Sequence, residues 1–493
     1  MENASPLHLQ EVVFSTGNRA AGKLISELES AGKLRKIAPR IYSSNFNDNP
    51  DVIIKRNLFT ILGKLYPGAI LSHRSAFEFQ PTTSGQIFLT YSYTKKISLG
   101  SITLRFLEGY PPIEGDLPFS GELYVSQPER AMLENLQVSR QSGPQSKSLS
   151  TRDLEEKLEA IIRTRGEQGL NEFRDRAKSI SVQLEMNREF AILNKLISAL
   201  LSTHPSRILK SPIAMARAIG NPYDATRIAL FEKLFIALNK EEFILIPDKN
   251  KSINAFRDFA FFEAYFSNYI EGTEFELEDA RKIISTDTPM QNRNEDSHDI
   301  LGTFKIVSNK AEMNLIPRNP DQLIEMLLYR HKVLLSARTS KNPGLFKDKN
   351  NRAGETYFVD HGLVKGTLKK GYEYYQALKH PFSRAVYMMF MVSEIHPFLD
   401  GNGRIARVMM NAELTTADQA KIIIPTVYRD DYVGALRKLT RQAEPSAYIR
   451  MMLRAWKFSS TIPGENFDIM RSYLEECNAF KDHDQAKLKF RFP

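Results

Sequence analysis

The stretch Ile395–Arg407, which reads IHPFLDGNGRIAR, decides the fold of this chain. The residues just before it, 383–390, are mostly apolar and predict a buried helix. Pro397 and the Gly401-Asn402-Gly403 turn must end that helix, because proline lacks an amide hydrogen and glycine favours turns. The stretch therefore predicts two helices joined by a tight, glycine-rich loop.

The second helix is predicted to begin near Gly403. Arg404, Arg407 and Asn411 share one of its faces, because they are spaced by three and four residues. A glycine turn that leads into a helix presents free backbone N–H groups and the positive end of the helix dipole. Phosphate is the usual ligand of such a turn, so we predict a phosphate-binding loop here.

The side chains around this loop suit the transfer of a phosphate-containing group. Asp400 is placed to hold Mg²⁺, which takes few carboxylates beside phosphate oxygens. Arg404 and Arg407 carry planar guanidinium groups that match phosphate oxygens. His396 has an ordinary pKa near neutrality and is suited to accept a hydroxyl proton. Together they predict transfer of the phosphate-containing part of a nucleotide to a hydroxyl.

Each of these features alone has a more ordinary explanation. A single histidine, a Gly-Asn-Gly turn or a pair of arginines is usually structural or lies on a solvated face. The catalytic interpretation is favoured because all the parts of one reaction follow in order between His396 and Arg407.

At these residues the chain resembles the Fic family, whose signature HPFx(D/E)GNGRxxR it matches at every position. The resemblance implies an all-helical Fic core and transfer of AMP from ATP to a Ser, Thr or Tyr hydroxyl of a protein, with pyrophosphate leaving. It implies that His396 is the general base, that Phe398 anchors the loop and that Asp400 is the metal ligand.

The resemblance also implies a set of residues that bind ATP: Gly401, Asn402, Gly403, Arg404, Arg407 and Asn411. The amides of the glycine turn would cradle the phosphates, and the two arginines would hold the β- and γ-phosphates. Other family members transfer UMP or phosphocholine, or reverse their own AMP transfer, so the nucleotide stays open.

A second signal lies upstream, on a predicted helix over residues 254–272. Its aromatic residues recur every three or four positions, and Ser267 and Glu271 stand on one face. Alone this is an acidic helix end with a glycine stop. Beside the motif it resembles the inhibitory signature (S/T)xxxE(G/N) of class II Fic proteins. Glu271 would pair with Arg407 in place of the γ-phosphate, so the resting enzyme would be weak.

Residues 355–359 form a β-type run between the predicted Fic helices. Fic proteins place at this position a flap hairpin that aligns the target by strand addition. The resemblance thus implies target alignment by Thr356, Tyr357, Phe358 and Val359. The alternative is a surface hairpin with no role in the reaction.

The N-terminal part predicts a regulatory half. Residues 1–50 show a helix, a glycine and a basic strand pair, which is typical of a winged helix-turn-helix, with Arg35, Lys36 and Arg40 as candidate DNA contacts. Residues 51–137 predict a small mixed α/β module. The layout of 7–137 is similar to AbiEi-type antitoxins and regulators, on the patterns LSHRSAFEF and VSQPERAMLENL. His73, within the first pattern, is interpreted as structural.

The whole chain is predicted to be multidomain and mainly α-helical. A linker is expected at 138–152, a helical region at 153–245, the Fic domain with its flap at 246–455, and a C-terminal tail at 456–493. From Pro463 this tail is polar and is expected to be peripheral. A length of 493 residues fits several domains.

Composition favours a cytoplasmic protein. There is one cysteine, Cys477, so no disulfide framework is expected, and no signal peptide or membrane-spanning run is seen. The net charge of +9 permits contact with nucleic acid without demonstrating it.

The main functional prediction is an autoinhibited, Mg²⁺-dependent protein adenylyltransferase. Its target is another protein or the chain itself, and the class II resemblance allows a homodimer. The alternative is a DNA-binding transcriptional or antitoxin-type regulator whose Fic domain serves mainly as a nucleotide sensor.

Overall fold

The computed structural model describes residues 7–15, 19–202, 208–464 and 466–490, and the chain divides into two compact units, Met1–Ile219 and Gly220–Pro493. Each unit has its own buried apolar core. Among the described residues, no helix is long and apolar enough to cross a membrane.

The first unit combines two sheets with helices. Its strands are β1 (Val12–Phe14), β2 (Arg35–Ala38), β3 (Ile41–Ser43), β4 (Ile70–Leu71), β5 (Gln86–Tyr91), β6 (Lys95–Leu99), β7 (Ile102–Glu108), β8 (Leu117–Ser120) and β9 (Leu123–Val125). Its helices are α1 (Arg19–Ser30), α2 (Pro50–Arg56), α3 (Leu58–Leu65), α4 (Ser75–Glu78), α5 (Pro128–Leu136), α6 (Thr151–Gln183), α7 (Asn187–Leu200) and α8 (Pro212–Ala218). One sheet has the order β1-β3-β2 and the other β6-β7-β5-β4-β9-β8.

The six-stranded sheet is the mixed α/β module that the sequence predicts. β5 pairs with β7 in parallel, while β6 runs antiparallel to β7. Ile87, Phe88 and Leu89 of β5 are all buried, as expected for a strand covered on both faces. His73 is buried at a positive φ of 54°, and its backbone N–H donates to Glu134, which agrees with a structural histidine.

The N-terminal segment supplies only part of the predicted winged helix-turn-helix. Within the described residues before α2, the sole α-helix is α1, and Leu7–Leu9 forms a short 3-10 turn. A helix-turn-helix needs two helices. The β2–β3 pair is the predicted basic ribbon. Residues 1–6 and 16–18 of the prediction lie outside the described residues.

Residues 138–152, predicted as a linker, are tied into the first unit. The Arg74 N–H donates to the Lys147 carbonyl at 3.0 Å, and the Leu149 N–H donates to Asn135 Oδ1 at 2.8 Å. A Ser- and Gly-rich composition does not reveal such bonds, because their partners lie elsewhere in the chain. The predicted helical region 153–245 falls on both sides of the division after Ile219.

The second unit is almost wholly helical. Its helices are α9 (Ala225–Lys240), α10 (Ile253–Ile270), α11 (Leu277–Thr286), α12 (Asn294–Val307), α13 (Lys310–Met313), α14 (Pro320–Leu334), α15 (Val364–Ala377), α16 (Pro381–Ile395), α17 (Asn402–Thr416), α18 (Arg429–Gln442), α19 (Pro445–Ser459) and α20 (Phe467–Glu476). A two-residue hairpin, β10 (Arg352–Ala353) with β11 (Thr356–Tyr357), lies between α14 and α15.

The loop between α16 and α17 lies where the sequence predicts it. α16 is buried on nearly every side, so it is the centre of the unit. It ends at Ile395, because the φ of 54° at His396 lies outside the helical region and Pro397 prevents continuation. Gly401 at a φ of 73° then turns the chain into α17.

The C-terminal segment is not peripheral, contrary to the prediction. Phe467 stacks on Phe262 and Phe480 stacks on Phe266, each pair with ring centroids 5.1 Å apart. Both partners belong to α10. The apolar residues of α20 recur at helical spacing within a polar stretch, so this segment completes the core instead of lying on the surface.

Candidate active site

The loop between α16 and α17 is closed by its own side chains. Phe398 is fully buried. Its backbone N–H donates to Asn402 Oδ1 at 2.8 Å, and Asn402 Nδ2 donates back to the Phe398 carbonyl at 2.9 Å. Asn351 Nδ2 also donates to this carbonyl at 2.9 Å. The Asn402 side chain therefore shapes the loop, and only its backbone amide is left for the predicted cradle.

The Glu271 carboxylate lies directly over the start of α17. A Cβ added to Gly403 would lie 2.1 Å from Glu271 Oε1, so this position must be glycine for the carboxylate to approach. The N-terminus of a helix attracts negative charge. Glu271 therefore occupies the place in which the sequence predicts a phosphate.

Arg407 holds Glu271 there. Arg407 Nη2 donates to Glu271 Oε1 at 2.6 Å and to the Ser267 carbonyl at 2.9 Å, while Nε donates to Ser267 Oγ at 2.9 Å. Burial alone would raise the pKa of the Glu271 carboxyl, but the Arg407 charge and hydrogen bond outweigh it and hold that pKa below its ordinary value. The predicted pair is present, and Ser267 adds two bonds.

Arg404 is held by an acidic residue that the sequence analysis missed. Arg404 Nη1 lies 2.7 Å from Asp299 Oδ2, and both side chains are almost fully buried. Asp299 also pairs with Arg338, whose Nη2 lies 2.8 Å from the same oxygen. The only signal was that Asp299 directly precedes the apolar residues Ile300 and Leu301 on α12, and a buried carboxylate requires a partner.

His396 is in the form that a general base requires. Its Nδ1 lies 3.2 Å from the Ser393 carbonyl, which can only accept, so Nδ1 carries the proton and Nε2 has the free lone pair. Burial lowers the pKa of His396 to about 4, and the Lys347 ammonium acts in the same direction. The imidazole is therefore neutral at pH 7, with a pKa below the ordinary value assumed from the sequence.

The Asp400 carboxylate has one oxygen committed and one available. Oδ1 accepts from the Gly401 N–H at 2.6 Å and lies 3.6 Å from Arg404 Nη2. Within the described part of the chain, Oδ2 accepts no hydrogen bond. One free oxygen beside the predicted phosphate-binding loop fits Mg²⁺, which is commonly held by a single carboxylate, phosphate oxygens and water.

Asn411 lies apart from the loop. It is fully buried; its Nδ2 donates to Glu263 Oε1 at 2.8 Å and to the Ile422 carbonyl at 2.9 Å, and its Oδ1 accepts from the Ile422 N–H at 2.8 Å. Nine residues of helix after Asn402 place it about 13 Å along α17. The amide N–H groups of Asn411 are thus used in contacts within the protein. None is left for the phosphate contact that the sequence predicted.

The four predicted flap residues separate into three environments. Thr356 and Tyr357 form β11, and Tyr357 is 65% exposed. Phe358 stacks face to face on His396, with ring centroids 3.7 Å apart. Val359 is fully buried in the core. The hairpin edge is therefore next to the candidate base, and Phe358 covers one face of its ring.

The candidate DNA contacts differ in their availability. Arg35 is turned inward: its Nε donates to the Asn45 carbonyl at 2.9 Å, and its Nη2 bonds the Asp48 carbonyl. Lys36 is exposed. Arg40 is also exposed and donates to the Ser15 carbonyl at 3.3 Å. DNA contact by these residues stays a prediction.

Lys347 is a second residue near the site that the sequence analysis did not single out. It is 3% exposed, its backbone N–H donates to the Pro397 carbonyl at 2.9 Å, and its Nζ donates to Asn351 Oδ1 at 2.7 Å. Burial lowers its pKa to about 8. No periodic pattern surrounds it, so nothing local in the sequence distinguishes it from a surface lysine.

Comparison with known proteins gives a family match for part of the second unit. Residues 322–414 match the family model described as the Fic/DOC family. "Protein adenylyltransferase Fic" of Drosophila willistoni is 24% identical over 212 residues, which is 42% of this chain and 42% of that protein. The protein of the same name from Drosophila melanogaster is also 24% identical over 212 residues. The match thus spans about two fifths of the length of these curated relatives.

Solved structures are similar at a lower level. Fic-1 from C. elegans is 16% identical, with a TM-score of 0.36 over 67% of this chain and 89% of that one. A Fic domain containing signaling protein from Bacteroides thetaiotaomicron is 17% identical, with a TM-score of 0.35 over 54% of this chain and 99% of that one.

Proposed function

We propose that this chain, which carries a Fic domain at residues 322–414, is an autoinhibited protein adenylyltransferase that transfers AMP from ATP to a Ser, Thr or Tyr hydroxyl of a protein. The observation that carries the proposal is the Glu271 carboxylate, which lies over Gly403 and pairs with Arg407. A carboxylate held at a helix N-terminus by an arginine supports two conclusions: the site binds an anion such as phosphate, and Glu271 blocks that binding in the resting protein.

The proposed reaction uses His396 as base. The hydroxyl of the target loses its proton to Nε2 of His396 while its oxygen bonds to the α-phosphorus of ATP. The bond from that phosphorus to the oxygen bridging to the β-phosphate breaks, and pyrophosphate leaves. The Nδ1–H bond to Ser393 supports this role, because it fixes the tautomer and the direction of Nε2.

The remaining residues bind the nucleotide. The amides at the start of α17 receive phosphate oxygens, and Arg407 exchanges Glu271 for a phosphate. Arg404 contributes a second positive charge. Oδ2 of Asp400 would hold Mg²⁺, and the bound ion would neutralise charge on the phosphates.

Autoinhibition follows from competition for one place. While Glu271 remains paired with Arg407, the terminal phosphate cannot take its position, and the α-phosphate is not presented in line with the target hydroxyl. ATP can then bind without its α-phosphate being placed for reaction. The resting protein is weakly active, and a signal that moves the end of α10 activates it.

The test is transfer of label from α-labelled ATP to protein, in a reaction of the purified chain, Mg²⁺ and an extract of cells that express it. Glu271→Gly should incorporate at least about tenfold more label than the unaltered chain, the effect of one charge-assisted hydrogen bond. Glu274→Gly is the matched control, since its exposed side chain lies three residues further on. No incorporation with Glu271→Gly, or equal incorporation after adding His396→Ala, would reject the proposal.

A further inference from the structure

The imidazole of His331 is fully buried beneath the predicted phosphate-binding loop, on α14. Its ring stacks on the Phe398 ring, with centroids 3.7 Å apart and planes 4° from parallel. Stacking of this kind fixes the plane of the imidazole and thus the directions of both ring nitrogens.

Both nitrogens bond backbone groups, so the tautomer is determined. The Gly344 N–H lies 2.9 Å from Nδ1, and an amide N–H can only donate, so Nδ1 carries no proton. Nε2 lies 3.1 Å from the Asp400 carbonyl, which can only accept. The proton is therefore on Nε2, and Nε2–H donates to Asp400 O.

This bond also orients the next amide. The Asp400 carbonyl and the Gly401 N–H belong to one planar trans peptide and point in opposite directions. Holding the carbonyl toward His331 turns the Gly401 N–H away from the core. That N–H donates to Oδ1 of the Asp400 carboxylate at 2.6 Å.

We propose that His331 is a positioning residue of the predicted phosphate-binding loop: its Nε2–H fixes the Asp400 carbonyl, and the Gly401 N–H of the same peptide then orients the Asp400 carboxylate beside the phosphates of the nucleotide. Leu334 and Leu335, at the end of the same helix, lie against Gly401 and support the loop from below. The inference rests on the proposed function in that ATP is the ligand of the loop.

Three substitutions separate the contacts of His331. His331→Gln places an amide N–H near the position of Nε2 and keeps a donor for Asp400. His331→Asn places an oxygen near the position of Nδ1 and keeps the acceptor for Gly344, but has no donor for Asp400. His331→Phe keeps only the stacked ring. Tyr329→Ala, at a side chain 56% exposed on the same helix, is the control.

The measurement is the ATP dissociation constant by titration calorimetry, in the full chain carrying Glu271→Gly, with Mg²⁺. We expect His331→Asn and His331→Phe to raise it about tenfold, the effect of one lost hydrogen bond, and His331→Gln to recover most of that loss. Gln and Asn both remove the ring; Gln keeps the contact to Asp400 and Asn keeps the contact to Gly344, so tighter ATP binding by the Gln variant assigns the effect to the Asp400 bond even where ring removal lowers stability.

Equal dissociation constants for the Gln and Asn variants would overturn the proposal, as would a Phe variant that folds and binds ATP like its parent. Binding does not require transfer. If the Glu271→Gly parent binds ATP and transfers no AMP, the proposed function fails while the comparison of His331 variants keeps its meaning.

Discussion

Replacing Asp299 by Asn tests whether a buried charge orders the site. The Asp299 carboxylate lies 2.7 Å from Arg404 and 2.8 Å from Arg338, and only 2% of its side chain is exposed. Asparagine has nearly the same shape, so no cavity forms. The change leaves Arg404, whose side chain is 3% exposed, with only the more distant Asp400 carboxylate, 3.6 Å away, as a counter-charge.

The expected cost follows from burial. Removing one member of a buried ion pair costs about 3–5 kcal/mol, because the other charge stays desolvated. For a unit of this size, that lowers the Tm by about 5–9 °C. Glu295→Gln is the matched control: Glu295 pairs with the same Arg338 at 2.8 Å but is 63% exposed. Exposed pairs contribute at most about 1 kcal/mol, or a few degrees.

The assay is thermal unfolding measured by calorimetry. It compares Asp299→Asn, Glu295→Gln and Arg404→Gln with the double variant Asp299→Asn/Arg404→Gln. In the Arg404→Gln background, Asp299→Asn should cost clearly less, since one of the two charges that it serves is absent. A Tm for Asp299→Asn that matches Glu295→Gln, or a cost that does not change when Arg404 is replaced, would refute this argument.

Three further predictions concern the base and the inhibitory helix. With ATP saturated by Mg²⁺, kcat/KM of Glu271→Gly should stay level as pH falls from 8 toward 5, because a pKa of about 4 keeps His396 in its neutral, proton-accepting form. A fall of kcat/KM below about pH 6.5 would contradict this. Ser267→Ala should raise basal label transfer by a smaller factor than Glu271→Gly, because the Ser267 carbonyl still accepts from Arg407; an equal or larger factor would show that the hydroxyl bond dominates. Phe480→Ala should also raise basal transfer several-fold, because it loosens the packing behind α10 at Phe266, and unchanged transfer would show that the C-terminal segment does not support the inhibitory contact.

The local parts of the site could be predicted from the sequence. The end of α16, the glycine turn and the start of α17 depend on neighbouring residues, so proline, glycine and helical spacing were enough to place them. The pair between Glu271 and Arg407 joins distant segments. It was predicted only because a spacing on one helix resembled a known inhibitory signature.

The parts that depend on distant contacts could not be predicted. Asp299 and His331 are ordinary members of helical stretches, and their importance comes from what they meet after folding. Asn411 shares a helical face with the two arginines, which suggested a phosphate contact. It lies more than two turns along α17 from the loop, however, and bonds Glu263 and Ile422 instead. The segment from Phe467 to Phe480 is polar on average, and its few aromatic residues pack on α10.

Transfer of AMP to hydroxyl groups by the activated chain, with His396 as the base, can be tested directly. The most direct measurement is the mass of the adduct formed by Glu271→Gly with ATP and Mg²⁺, on the chain itself and on proteins of the extract. We expect one AMP unit on each modified Ser, Thr or Tyr, and none when His396→Ala is added. An adduct of different composition, or an AMP adduct that persists in the His396→Ala double variant, would contradict it.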